Sequence, residues 1–210
     1  ILPTGGPFYL LFLLTCKSVW LNLQNYRLLE VSLLISDQII KNSDMEVIVP
    51  YNCVVLVKQV PDTKKITGQA MNEDGTVNRA ALPAIFNPED LSALEMALDI
   101  KDKFGGTVTV ITMGLPAAAK VLRESLYRGA DKAILVTDRR CAASDTLATS
   151  YILSKAVEKL DYDIVLCGRQ AIDGDTAQVG PQLAQKLGLT QVTYVETIDH
   201  LTDGQVTALR

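Results

Sequence analysis

The sequence predicts an α/β fold built on a doubly wound, mostly parallel sheet, and three observations carry this prediction. Short apolar runs rich in β-branched residues, such as residues 107–113 (TVTVITM), alternate with longer segments of helical periodicity. Glycine, proline and capping residues mark the boundaries between the two kinds of segment. The 210 residues, 48% of them hydrophobic, suffice for one buried core and favour one such domain over two.

A long polar stretch separates the first strand of the domain from its first helix. Residues 51–57 form the apolar run of the strand, and Asp74-Gly75 in the polar stretch signals a tight turn or hairpin. The helix that follows ends at Gly105-Gly106. Its start carries an N-cap candidate, a first-turn proline and two acids suited to the positive end of a helix, in Asn87, Pro88, Glu89 and Asp90.

Strand and helix then alternate along the rest of the domain. Further strands are predicted over residues 107–113, 133–136, 163–167 and 191–195. Pro116 opens one helix and Gly129 stops it, Asp145 caps the next, and a third ends near Leu187 before Gly188. Because each apolar strand is followed by an amphipathic helix, we expect helices on both faces of the sheet.

The two ends of the chain depart from this pattern. Residues 1–45 begin without methionine, and their apolar core at residues 8–14 is too short to span a bilayer and lacks the flanks of a signal peptide. We therefore expect an N-terminal extension of doubtful status at 1–45, whose folded form would be a helix over about 19–41, and an α/β domain at 46–210. The pattern breaks off in a hairpin-like sequence at residues 201–210, so we expect the fold to be truncated at its C-terminus.

Charge and cysteine content argue against several classes of function. A net charge of −4 without a basic stripe argues against nucleic-acid binding. The cysteines (Cys16, Cys53, Cys141 and Cys167) lie far apart and His200 is the one histidine, which disfavours metal sites and disulfides and indicates a reducing cytoplasm. Cys53 and Cys167 lie in apolar runs and are expected to be buried thiols. No nucleophile–base arrangement indicates a catalytic residue, and no segment predicts stable membrane insertion.

The predicted topology gathers three stretches at one edge of the sheet. Ligands of doubly wound sheets bind beyond the carboxyl ends of the strands, where the strand order reverses. Residues 57–59, 113–114 and 168–180 follow predicted strands and share this edge. The last stretch, GRQAIDGDTAQVG, is unusual because a buried strand opens there into glycines, short acids, amides and a threonine.

This loop has the composition of an anion site made from backbone amides. Proline is accepted only in the first turn of a helix, so Pro181 places the helix start near residues 178–180. The N–H groups of residues 176–180 then lack partners within the helix and lie at the positive end of its dipole. Gly174 and Gly180 allow a phosphate to approach the backbone closely, and a threonine and a glutamine add side-chain donors.

Charged residues near the loop leave several alternatives open. Asp173 and Asp175 would repel a phosphate, so we expect them to cap loop N–H groups or to accept hydrogen bonds from ribose hydroxyls. Lys58 could reach a phosphate or remain a surface lysine. Residues 138–150, with two arginines and a capped helix start, could hold a second anion or form a solvated loop. Spacing alone leaves an ordinary strand-to-helix turn without a ligand equally open.

Six segments of the sequence, taken in order, resemble the beta subunit of electron transfer flavoprotein. They lie between about residues 53 and 195 and read VVLVKQVPDT, NPEDLSALEMAL, VTVITMG, VLRESLYRGAD, SDTLATS and LCGRQAIDGDTAQVGPQLAQKLGL. The resemblance implies a Rossmann-like, adenine-nucleotide-binding domain at 46–210, a heterodimer with an alpha subunit and a role as an electron carrier. We expect residues 1–45 to lack a counterpart in the family, and we expect the C-terminal segment, which in the family reaches over the alpha subunit, to be missing from this sequence.

The resemblance also implies which residues hold the nucleotide. In the family it lies against the end of the first strand, the Asn-Pro helix start, the end of the next strand and the long glycine-bearing loop. The SDTLATS segment could supply the further polar surface that a flavin needs. The implied binding residues are Leu56, Val57, Lys58, Asn87, Pro88, Glu89, Asp90, Met113, Asp145, Thr146, Thr149, Asp173, Gly174, Asp175, Thr176, Ala177, Gln178, Val179, Gly180, Pro181, Gln182, Leu183 and Ala184.

Two branches of the family differ in that nucleotide. In the simple carriers the beta subunit holds AMP, whereas in the electron-bifurcating branch it holds its own FAD, which takes hydride from NADH. The segments VKQVPDT, DTLATS and GRQAIDGDTAQVGP look more like the bifurcating branch, so we expect FAD, with AMP as the alternative. The implied partners are an alpha subunit, acyl-CoA or other dehydrogenases, NADH, and ferredoxin, flavodoxin or quinone acceptors.

A competing interpretation is a stress-protein-like regulatory module that binds ATP or AMP and has no redox activity. The same alternating fold and a glycine-bearing loop would serve such a module. The six matching segments weigh against it, and so does the long insertion between the first strand and the first helix.

Overall fold

The structure is a computed structural model that describes residues 50–62, 64, 82–202 and 205–210, together with the backbone of strands at residues 10–14, 20–22 and 28–32. Its strands are β1 (Leu10–Leu14), β2 (Trp20–Asn22), β3 (Leu28–Ser32), β4 (Cys53–Leu56), β5 (Gln59–Pro61), β6 (Ala84–Phe86), β7 (Val108–Met113), β8 (Lys132–Val136), β9 (Ile164–Gly168), β10 (Thr190–Val195), β11 (Thr197–Thr202) and β12 (Gln205–Leu209). Its helices are α1 (Pro88–Phe104), α2 (Ala119–Arg128), α3 (Thr146–Val157) and α4 (Val179–Leu187), with 3₁₀ turns at Pro116–Ala118 and Arg139–Cys141.

The central sheet has the order β10-β1-β9-β4-β7-β8 among the strands just named. β9, β4, β7 and β8 are parallel, whereas β1 lies antiparallel between β9 and β10. From β4 the chain moves outward through β7 to β8 and then returns to the other side of β4 to form β9. The strand order therefore reverses between β4 and β9, which confirms the predicted doubly wound, mostly parallel sheet.

Helices cover both faces of this sheet, as the pattern of the sequence predicts. Alternate residues of a strand point to opposite faces, so Cys53 and Val55 of β4 pack with α1 and α2, while Val54 and Leu56 pack with α3 and α4. All the side chains of β4 are consequently buried. A strand enclosed in this way must be apolar throughout, which explains the near-continuous apolar runs.

Antiparallel pairs lie outside the parallel core. β5 pairs with β6, and a second sheet has the order β11-β12-β3-β2 within the described residues. The hairpin of β11 and β12 agrees with the hairpin-like sequence at the end of the chain. The prediction of a helix over about residues 19–41 is wrong. β2 and β3 occupy part of that stretch, and β3 pairs with β12. The turn predicted at Asp74-Gly75 lies outside the described residues.

Local signals in the sequence account for the element boundaries. α1 begins at Pro88, and Asp145 caps α3 by accepting a hydrogen bond from the Ala148 N–H at 2.8 Å. Gly106, just after α1, has a φ of +97°, and a Cβ atom there would collide with the carbonyl of Tyr51. The helices of the described ranges are too short or too polar to cross a bilayer.

Candidate functional site

A cleft of about 390 Å³ opens at the carboxyl ends of β4, β7 and β9, beside the point where the strand order reverses. The starts of α3 and α4 and the loop between β9 and α4 form its other walls. This is the edge to which the predicted topology directs a ligand. The predicted binding residues that line the cleft are Leu56, Val57, Lys58, Asp90, Met113, Asp145, Thr146, Thr149, Gly174, Asp175, Thr176, Ala177, Gln178, Val179 and Gly180.

The other predicted binding residues lie outside the lining. They are Asn87, Pro88, Glu89, Asp173, Pro181, Gln182, Leu183 and Ala184. Leu183 and Ala184 are buried in the core between α4 and the sheet. Gln182 faces α3, where its Oε1 accepts a hydrogen bond from Ser150 Oγ at 3.0 Å.

Several residues beyond the implied set also line the cleft. They are Gly114, Cys141, Ala143, Ser144, Leu153, Cys167, Gly168, Arg169, Gln170 and Ala171. Gly114 and residues 167–171 lie at or just after the end of a strand, and Cys141, Ala143 and Ser144 lie just before the start of α3. Proximity in sequence to these two kinds of position is therefore the signal that could have identified them.

The start of α1 contacts the loop after β9. Asn87 occupies the N-cap position, as predicted, but its side chain makes no capping hydrogen bond. Instead, Asn87 Nδ2 donates to the Gln170 carbonyl at 2.9 Å, and Asn87 Oδ1 accepts from the Ile172 N–H at 3.2 Å. Glu89 accepts from the Gln170 N–H at 3.1 Å and from Arg169 Nη2 at 3.0 Å. The polar side chains of this turn therefore hold the loop.

Asp90 connects the ends of the two central strands. Its Oδ2 accepts from the Lys58 N–H, just after β4, at 2.8 Å, and its Oδ1 accepts from the Gly168 N–H, in β9, at 3.2 Å. Desolvation in this buried position raises the pKa of Asp90 to about 7, although hydrogen bonds from Asn87 and from the two amides lower it. Charge repulsion from Glu89 raises the pKa further.

The loop after β9 presents backbone amides without a hydrogen bond. Within the described part of the chain, the N–H groups of residues 176–180 donate no hydrogen bond. Ala177 has a positive φ of 52°, whereas Gln178 beside it has φ −103° and ψ −29°. Neighbouring residues of opposite hand direct their N–H groups into an anion-binding concavity, called a nest. α4 begins at Val179, as predicted, so its dipole adds positive potential at the same place.

Strained backbone is concentrated around the cleft. Ala143, Asp175 and Ala177 line it and have φ values of 57°, 49° and 52°. A left-handed conformation of a non-glycine residue costs about 1 kcal/mol and persists only where the surrounding structure enforces it. Three such residues at one cleft are typical of a site whose backbone shape matters for function.

The acids of the loop pair with side chains around the cleft. Both carboxylate oxygens of Asp173 accept from Lys58 Nζ, at 2.7 and 3.0 Å. Asp175 Oδ1 accepts from Gln170 Nε2 at 2.8 Å. Lys58, predicted either to reach a phosphate or to stay on the surface, is thus half-exposed at the rim and bound to an acid of the loop.

The start of α3 contacts the start of α4 across the cleft. Thr146 Oγ1 donates to Gln178 Oε1 at 2.8 Å, which connects the two helix starts. Arg140, one of the arginines considered for a second anion, instead binds Asp138 with an Nη2–Oδ2 distance of 2.8 Å. Polar groups of α3 therefore belong to the same cleft as the loop amides.

The cysteine thiols that lie in β4 and β9 are buried, as predicted. Burial raises the pKa of Cys53 to about 12 and raises that of Cys167 as well, so both stay uncharged. Among the residues that the structure describes, no group of three or more His, Cys, Asp or Glu side chains could hold a metal ion.

The comparisons with known proteins agree on one family. Residues 74–210 match the family model described as the electron transfer flavoprotein domain. The chain is 55% identical over 148 residues to the electron transfer flavoprotein subunit beta of Thermoanaerobacterium thermosaccharolyticum, covering 70% of this chain and 56% of that protein. It is 52% identical over 159 residues to the subunit of the same name from Clostridium acetobutylicum, covering 76% of this chain and 60% of that protein.

A third relative carries a different name. The chain is 54% identical over 149 residues to Protein FixA of Azotobacter vinelandii, covering 69% of this chain and 52% of that protein. The chain thus spans little more than half the length of these curated relatives.

Proposed function

The chain belongs to the electron transfer flavoprotein family, and on that premise we propose that it is a beta subunit that binds an adenine nucleotide and works with an alpha subunit in electron transfer. The relatives named as beta subunits support the choice of subunit. The alpha subunit would complete the carrier as a heterodimer, because an electron transfer flavoprotein of this type consists of both subunits.

The unpaired amides of residues 176–180 carry the nucleotide part of this proposal. They line the cleft, lie at the start of α4 and include the left-handed Ala177 followed by the right-handed Gln178. Such an arrangement favours the binding of an anion even where no basic side chain takes part, because the partial positive charges are those of the backbone. A phosphate group is the anion that a nucleotide would bring to this place.

The remaining walls of the cleft suit the rest of a nucleotide. Leu56, Val57 and Met113 supply apolar surface from the strand ends, and polar atoms surround them. A volume of about 390 Å³ lies at the lower end of the range for ligand sites and suits the adenine nucleotide part that AMP and FAD share. The residues present therefore fit such a group.

We propose FAD rather than AMP because the start of α3 widens the polar surface of the cleft. Asp145, Thr146 and Thr149 line it opposite the loop. A bound flavin supplies one- and two-electron chemistry, while the protein contributes binding, orientation and electrostatics.

We further propose a cytoplasmic carrier of the electron-bifurcating type. NADH or another dehydrogenase would deliver electrons, and ferredoxin, flavodoxin or a quinone system would accept them. The support is the likeness of the loop and α3 segments to that branch, together with the polar α3 start at the cleft.

The proposal is tested by the nucleotide content of the complete protein, purified with its alpha subunit. Denatured samples are analysed by chromatography and absorbance for FAD, AMP and ATP. We expect two FAD per alpha–beta pair. One FAD and one AMP would overturn the bifurcating assignment but not the carrier, whereas ATP or AMP without flavin would favour the regulatory module, and no nucleotide would overturn the whole proposal.

A further inference from the structure

We propose that Asn87 and Glu89 are positioning residues for the anion-binding loop. They hold residues 168–172 against the first turn of α1, and this placement sets where the amides of residues 176–180 lie. The inference rests on the proposed function only in so far as the anion is a nucleotide phosphate.

A regular pattern of hydrogen bonds carries the inference. Amides of alternate loop residues, 168, 170 and 172, donate to three side chains at the α1 start. Gly168 N–H binds Asp90 Oδ1 at 3.2 Å, Gln170 N–H binds Glu89 Oε2 at 3.1 Å, and Ile172 N–H binds Asn87 Oδ1 at 3.2 Å. The side chains at the start of α1 therefore serve as the hydrogen-bonding neighbour of this part of the loop.

Asn87 imitates the backbone of a neighbouring strand. A strand residue offers one acceptor and one donor, and Asn87 does so with its Oδ1 toward Ile172 N–H and its Nδ2 toward Gln170 C=O, at 3.2 and 2.9 Å. An amide side chain supplies both groups, whereas a carboxylate has no donor. These two bonds determine the register of the loop on α1.

Glu89 fixes the same segment with both carboxylate oxygens. Oε2 accepts from the Gln170 N–H and Oε1 from Arg169 Nη2, at 3.1 and 3.0 Å. The side chains of Glu89 and Arg169 are 19% and 28% exposed, so the pair is partly shielded from solvent. Hydrogen bonds to a charged group in such surroundings are stronger than neutral ones.

Neither Asn87 nor Glu89 lines the cleft, and their contacts with the loop are the route by which we expect them to act on a ligand. The next part of the loop shows the route. The N–H groups of Gly174 and Asp175 both donate to the Ala171 carbonyl, at 3.2 and 2.9 Å, and the strained residues of the nest follow. A shift of the held segment would displace this turn and the amides beyond it, and binding geometry is sensitive to displacements of about 1 Å.

The test compares variants of two glutamates on one helix. Glu89→Ala removes both loop contacts, whereas Glu89→Gln keeps an acceptor for the Gln170 N–H. Glu95→Ala is the matched control, because Glu95 also lies on α1 and binds an arginine, Arg128, at 3.0 Å, but contacts no loop residue among those described. The complete protein is stripped of nucleotide, and two quantities are measured: deuterium exchange of loop peptides and dissociation constants for AMP and FAD.

We expect Glu89→Ala to speed exchange around Gln170 and to weaken AMP and FAD binding by about tenfold. Glu89→Gln should recover most of the affinity, and Glu95→Ala should change neither quantity. Asn87→Asp is a second variant, which preserves side-chain shape and N-cap preference but loses the donor to the Gln170 carbonyl. Like Glu89→Ala, it should speed exchange of the loop and weaken AMP and FAD binding.

Two outcomes would overturn this inference, and a third separates it from the proposed function. Unchanged exchange in both Glu89→Ala and Asn87→Asp would overturn the inference, and so would equal affinity loss in Glu89→Gln and Glu89→Ala, since charge rather than position would then be responsible. If the unmodified protein binds neither AMP nor FAD but Glu89→Ala still speeds deuterium exchange of the loop, the inference about loop positioning is supported and the proposed function fails.

Discussion

A Cβ atom on Gly168 would lie 2.5 Å from Oδ1 of Asp90, the oxygen that accepts the hydrogen bond from the Gly168 amide. Real Cβ atoms do not approach other atoms so closely, so the end of β9 and the start of α1 can meet only because residue 168 is a glycine. This contact joins the strand at the centre of the sheet to the helix that holds the loop.

Gly168→Ala should therefore destabilise the fold. Overpacking of this kind typically costs 1–3 kcal/mol, and we expect the free energy of unfolding in urea to fall by about 2 kcal/mol. Gly174→Ala is the control, because a Cβ there meets nothing within 4 Å and its effect should stay within about 0.5 kcal/mol. Equal losses for both variants would contradict the close contact.

The buried carboxyl of Asp90 should give the stability of the fold a pH dependence. Its pKa in the folded state is raised from 3.8 to about 7, mainly by desolvation, so the folded state holds a proton more tightly than the unfolded state. The stability that this group contributes is complete below about pH 4 and is lost as pH rises to about 7. Urea unfolding should show wild type losing stability relative to Asp90→Asn between about pH 4 and pH 7. Parallel pH profiles of the two proteins would contradict this expectation.

The loop should lose its ligand when Gly180 is enlarged. Gly180 lies in the first turn of α4 and lines the cleft beside the unpaired amides. A side chain at this position would hinder the close approach of a phosphate to the neighbouring amides. Gly180→Val should therefore purify without nucleotide, while its far-UV circular dichroism stays unchanged. Gly180→Ala should retain an amount of nucleotide between those of Gly180→Val and the unmodified protein. Full nucleotide content in both variants would exclude the phosphate role of these amides.

The Lys58–Asp173 pair should weaken the binding of a nucleotide. Asp173 repels phosphate and occupies the ammonium group of Lys58, whose Nζ lies 2.7 Å from Asp173 Oδ1. Asp173→Asn should therefore tighten AMP binding by about threefold to tenfold at low salt, with a smaller gain at high salt. Equilibrium dialysis at two salt concentrations measures this change. Weaker binding would instead indicate that Asp173 accepts hydrogen bonds from the ribose, as the sequence alone also allows.

The α-helices and the parallel strands between residues 51 and 195 follow from local chemistry, whereas the antiparallel pair β5 and β6 was not predicted. The cap of Asp145 on the Ala148 amide, the proline at the start of α1 and the left-handed Gly188, with φ 66°, after α4 each act within one helical turn. Such signals are visible in a single sequence because both partners lie close together in the chain.

The N-terminal segment shows where local chemistry is insufficient. Leucine-rich stretches are compatible with a helix or a strand, which is why the prediction of a helix over about residues 19–41 is wrong. β3 pairs with β12, and β1 lies between β9 and β10, strands far away along the chain. Pairing of this kind depends on which strand edges the rest of the fold leaves open.

By itself, the sequence determined the alternation of strands and helices, the edge at which the cleft opens and the start of α4 beside unpaired amides. Only the tertiary structure decided that Asn87 binds the loop rather than capping its helix, and that Lys58 meets Asp173. The partners in these contacts are 83 and 115 residues apart. A side chain with several possible hydrogen-bond partners takes the one that packing brings within reach, and packing is a property of the whole fold.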